Sequence, residues 1–178
     1  SSEEKVEESI RRSKKRLEEL IRDVERVVRK VEEDNRRLEE KLRKSIEDTR
    51  RKLEELKRRG ELDDELVRRV KEESDRLLDE LRDIVRRNVE RARRLLEELE
   101  RLVEDLKRKS EKILELVRRG KDFETLIRDD KRLLRKVEED AKRLIKEIRD
   151  SLRESEKRVE ELIDRDRRLA KEVEDRAR

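Results

Sequence analysis

Aliphatic residues along this chain fall on a lattice. In the last third, positions 126, 130, 133, 137 and 141 form one set, which recurs at 144–159 and again at 162–177. The middle third repeats in the same way from 66, 70, 74, 77 and 81. The first third follows from 6, 10, 13, 17 and 20 or 21, repeating at 24 and at 42. The repeat is 18 residues, or five turns of 3.6, the period of an undistorted α-helix. A strict heptad would ask for left-handed supercoiling and an eleven-residue repeat for the opposite hand. This lattice asks for neither, so it predicts straight, nearly untwisted helices. A second column widens the apolar stripe: Val67, Leu78, Val85, Leu96 and Val103 in the middle third, then Ile127, Leu134, Ile145, Leu152 and Ile163 in the last. A stripe this wide suits a helix with two neighbours better than a two-stranded seam.

The helices are punctuated by the chain's two glycines, Gly60 and Gly120, each preceded by an Arg-Arg pair. Glycine just past a helix end takes the left-handed conformation without steric cost, and cations there suit the negative end of the helix dipole. After Gly60, Asp63 is an N-cap candidate, and Leu62 and Val67 have the spacing of a hydrophobic staple. After Gly120, either Asp122 or Thr125 can cap, and Phe123 is placed to plug that end of the core. These signals predict helices near 2–59, 63–119 and 123–177, each roughly 85 Å long at 1.5 Å per residue. Such short connections force an antiparallel up-down-up arrangement. The expectation is an all-α, three-helix bundle in which residues 1–178 form a single domain.

Ten lattice positions carry polar residues: Ser13, Asn35 and Thr49; Ser74, Asn88 and Ser110; Asp130, Ser151, Ser155 and Asp166. Threading the helices antiparallel groups them into three layers. Ser13 meets Ser110 and Asp130; Asn35 meets Asn88 with Ser151 and Ser155; Thr49 meets Ser74 and Asp166. Within each layer the chemistry matches, because an ionised carboxylate only accepts while a hydroxyl can donate. Facing amides can exchange both roles. Unpaired polar groups cost several kcal/mol in a core, so matched layers penalise any slip of one helix past another.

Composition narrows the function classes. Charged residues make up 62% of the chain, yet 57 basic and 53 acidic side chains leave a net charge of only +4. That balance, with periodic aliphatics, argues against disorder. Without Cys or His there is no disulfide framework, no conventional zinc site and no imidazole base. The Ser–Asp layers therefore read as structure, with no catalytic, cofactor-binding or metal residues expected. One carboxylate and two hydroxyls fall short of the oxygens calcium needs. Interleaved acids dilute basic runs such as Lys14-Lys15-Arg16, and stacking aromatics are missing, so no nucleic-acid binding is expected. No apolar run approaches a bilayer span. Ser1-Ser2-Glu3-Glu4 does not resemble a signal peptide, so a soluble product in the cytoplasm of a recombinant host is expected. Acid–base pairs four apart, such as Glu18 and Arg22 or Glu55 and Arg59, contribute about 0.2–0.5 kcal/mol each.

The glycine-punctuated thirds, the 18-residue lattice, the absence of Pro, Cys, Met, His, Trp and Tyr and the matched layers together resemble parametrically designed helical bundles with buried hydrogen-bond networks. The resemblance covers the whole chain. It implies a stable scaffold with no natural biochemical function and no natural compartment. Two readings are compatible with it: a self-contained monomer, or an interaction component, either a subunit of a larger assembly with designed helical partner chains or the parent from which the separate helices of a heteromeric assembly are cut. Val89 is the main apolar residue of the middle third lying off the lattice, which is little for a partner-binding face. The monomer is the expectation.

Overall fold

A computed structural model describes residues 2–177 of the chain. Three helices account for nearly all of them: α1 (Ser2–Arg58), α2 (Asp64–Arg118) and α3 (Phe123–Arg176). They pack against each other as an all-α three-helix bundle. The boundaries sit within a residue of those expected, the spread usual for fraying helix ends.

The caps explain why the helices stop where they do. Gly60 has φ 71° and Gly120 φ 86°. At the first turn the Glu61 N–H donates to the Leu56 carbonyl (3.1 Å) and Gly60 N–H to Lys57 (3.0 Å). At the second, Lys121 donates to Leu116 (3.1 Å) and Gly120 to Val117 (3.0 Å). Both are Schellman caps, in which a left-handed glycine lets two amides reach back to orphan carbonyls. Asp63 caps α2 by accepting from the Leu66 amide at 2.7 Å. Leu62 packs on the cluster that holds Val67, closing the staple. At α3 the cap is Asp122, which accepts from the Glu124 amide (3.1 Å) and from the Thr125 hydroxyl (2.9 Å). Thr125 supports this cap and does not replace it.

The chain divides into two compact units, each drawing on all three helices. One comprises Ser1–Lys30 and Arg91–Arg149, the other Val31–Glu90 and Asp150–Arg178. In the first unit Val6, Ile10, Ile113 and Val117 form a buried cluster. Phe123 packs against it as an end plug, with Lys5 Nζ 5.8 Å from its ring centroid. In the second unit Leu42, Ile46, Leu77, Leu81, Val159 and Leu162 bring all three helices into one cluster. Leu53, Leu66, Val70 and Val173 form another. In α1, Leu20 is buried and Ile21 only half-buried, which settles the lattice position there. Val89 is half-buried too. Burial of this aliphatic lattice, at about 25 cal/mol per Å² of apolar area, is the main force holding each unit together.

Candidate functional site, the buried polar layers

The layer in the first unit is built around Asp130, whose side chain is 1% exposed. Ser13 of α1 donates to Asp130 Oδ2 at 2.8 Å, and Ser110 of α2 donates to Oδ1 at 2.6 Å. Each helix supplies one residue, and both carboxylate oxygens are met. Hydrogen bonds to an ionised acceptor are shorter and about twice as strong as neutral ones, so two of them offset much of the cost of burying the acid.

The amide layer lies in the second unit and is less completely joined. Ser151 donates to Asn88 Oδ1 at 2.6 Å, while Asn88 Nδ2 lies 3.5 Å from Asn35 Oδ1, at the outer limit of a hydrogen bond. Asn35 Nδ2 is buried and has no partner. Ser155, though buried, donates to the Ser151 carbonyl one turn back on its own helix (3.1 Å). A serine in mid-helix always has this local alternative, and here Ser155 takes it. Ser151 is half-buried and the other three are buried.

The third layer, also in the second unit, differs most from the sequence reading. Thr49 Oγ1 lies 3.1 Å from Asp166 Oδ2 and 3.1 Å from the Ser45 carbonyl, sharing its proton between them. Ser45 donates to the same Oδ2 at 2.5 Å. Ser74 is wholly buried, but its hydroxyl meets neither Thr49 nor Asp166 in a hydrogen bond. Ser45 was not among the expected layer residues. Its signal was present, since it stands eighteen residues after the half-buried Val27 and so extends a flanking column of α1.

Around these layers the surface is charged and paired. Arg16 donates to Glu138 at 3.1 Å, a contact that holds the guanidinium pKa above its ordinary value. Arg50 pairs with Asp75 at 2.5 Å, and Glu80 with Arg165 at 2.9 Å. Lys71 Nζ sits 2.9 Å from Glu54, and that hydrogen bond, reinforced by the charge, lowers the Glu54 pKa. A groove between α1 and α3 in the first unit is lined by Lys5, Ser9, Arg12, Ser13, Ile127 and Lys131. At its floor the Ser13 hydroxyl is already committed to Asp130.

Chemically, the layers offer hydroxyl donors and carboxylate or amide acceptors, fully matched at Asp130 and only in part at the other two levels. A serine whose proton is given to a buried carboxylate is oriented by it, as Ser13 and Ser110 are by Asp130. Among the described residues no group of three or more His, Cys, Asp or Glu side chains could hold a metal ion. Among the same residues no helix is long and apolar enough to cross a membrane. Compared with protein-family models, curated proteins and solved structures, the chain matches none.

Proposed function

We propose that this chain is a computationally designed, monomeric scaffold whose buried polar layers specify helix register and which catalyses no reaction. The observation that carries the reading is the closure of three helices on Asp130, where Ser13 and Ser110 each take one carboxylate oxygen. A one-turn slip of any helix would strand that buried acid, while slipped aliphatic residues would merely repack. Geometry that penalises misalignment more strongly than it stabilises alignment is suited to specification. The lattice and the repeated Schellman turns support the same reading, because they apply one local rule throughout.

The test compares one stranding change with one clean replacement. Ser110→Ala leaves Asp130 Oδ1 buried without its donor and should cost about 1–3 kcal/mol. The triple change Ser13→Ala, Ser110→Ala and Asp130→Leu removes every polar group of the layer and should cost less, or stabilise. It should also raise the fraction of dimers and larger species seen by light scattering. If the triple variant is strictly monomeric and as well ordered as the parent by NMR, the layer does not specify register.

A further inference from the structure

Among the described residues, the buried side-chain atoms without a hydrogen-bond partner are Asn35 Nδ2, Arg50 Nε, Ser74 Oγ and Asp166 Oδ1. The last three belong to one level of the second unit. Thr49 lies 3.1 Å from Asp166 Oδ2, and its neighbour Arg50 reaches Asp75, the neighbour of Ser74. The Asp130 layer shows what is different here. There the α2 serine, Ser110, supplies Oδ1 directly at 2.6 Å. At Asp166 two α1 hydroxyls, Ser45 and Thr49, both converge on Oδ2, which leaves Oδ1 and the α2 serine, Ser74, unmet.

Ser74 is 0% and Asp166 1% exposed, so bulk solvent does not serve them. Buried polar atoms are almost always satisfied, and where protein groups fail the usual partner is an internal water making two to four bonds. The three orphan atoms define the chemistry of the missing partner. Asp166 Oδ1 accepts only, the Arg50 Nε–H donates only, and the Ser74 hydroxyl does both. A metal cation would suit Oδ1 and Ser74 but has nothing to offer an N–H donor and is repelled by the guanidinium. An anion is repelled by the carboxylate. A small neutral donor–acceptor matches the hydrogen-bonding chemistry of all three.

We propose that Ser74 and Asp166, with the Arg50 guanidinium at the edge, form an internal hydration site. Its water is long-lived, donating to Asp166 Oδ1 and accepting from Ser74 Oγ. Oxygen-17 magnetic relaxation dispersion on the full chain counts waters held longer than the protein takes to tumble. The parent should show such a water, and Ser74→Val, which removes the hydroxyl and fills its space, should lose one water's worth of amplitude. A parent without dispersion, or a folded Ser74→Val variant of undiminished amplitude, overturns the proposal. Should that variant not fold, a high-resolution crystal structure of the parent soaked in rubidium chloride decides. A water peak within hydrogen-bond reach of both Ser74 Oγ and Asp166 Oδ1 supports the site. A direct Ser74–Asp166 hydrogen bond, or an anomalous rubidium peak in its place, refutes it.

Discussion

At the scale of single residues, burial and partnering decide what each polar side chain contributes. Asn88 holds two links, one accepted from Ser151 at 2.6 Å and one donated to Asn35 at 3.5 Å. Asn35 has only the second, and its own amide nitrogen is already without a partner. Asn88→Leu should therefore cost about 1–3 kcal/mol, while Asn35→Leu should cost less, on the order of 1 kcal/mol or under. Urea denaturation of the two variants gives the order directly; equal losses would mean that the long amide–amide contact carries as much as the short one. At the surface, Glu54 offers a pH test. Its pKa is lowered in the folded chain by Lys71. Its contribution is thus present above the unfolded glutamate pKa and is lost as pH falls through the folded value. In Lys71→Ala the Glu54 carboxyl, followed by carbon-detected NMR titration, should move up toward the ordinary value near 4.3. No movement would show that the pair is not formed in solution.

At the scale of elements, the helix ends are where local sequence rules act most plainly. Both glycines sit at positive φ with nothing within 4 Å of where a Cβ would stand. Gly60→Ala should then cost only the backbone strain of a left-handed alanine, about 1–2 kcal/mol, with no steric addition. Asp63→Ala removes the acceptor of the Leu66 amide and should cost about 0.5–2 kcal/mol. These sites lie at opposite sides of one turn, so the double variant should depart from additivity, which thermal unfolding of all three variants would reveal. Helix surfaces held a pattern that acid-before-base spacing of four did not anticipate. Aspartate three residues before arginine recurs as a contact, in Asp48–Arg51 (2.5 Å) and Asp129–Arg132 (3.2 Å) among others. A short acid reached by a long arginine spans one turn more readily at three residues than at four.

At the scale of the whole chain, stability should be insensitive to salt. The ion pairs are largely exposed, Arg12 and Glu8 at 79% and 60% for example, and such pairs contribute about 0–1 kcal/mol each. In 1 M NaCl, where the screening length is about 3 Å, the denaturation midpoint should hardly move. A large loss would place the stabilising energy on the surface instead of in the aliphatic lattice. Among the described residues Leu116, 36% exposed, is the only large apolar side chain that stands open to solvent, so light scattering should return the single-chain mass of 22.0 kDa. Twice that mass would contradict the monomeric reading. Helix number, the helix stops at Gly60 and Gly120 and the α1 and α2 partners of Asp130 were legible in the sequence, because each follows from rules acting over a few residues, whereas the α3 cap was left open between Asp122 and Thr125. An 18-residue period fixes a face, a glycine after two arginines fixes a stop, and antiparallel threading fixes which positions share a level. What the sequence could not show is which donor reaches which acceptor within a level. Ser45 and Thr49 both claim Asp166 Oδ2, Ser74 is left aside, and Ser155 turns back to its own helix. Those choices depend on side-chain rotamers and on helix shifts on the order of half an ångström, the margin between a firm hydrogen bond and none. Only the packed tertiary structure decides them, because hydrogen bonds are made or lost over that distance while aliphatic contacts are not.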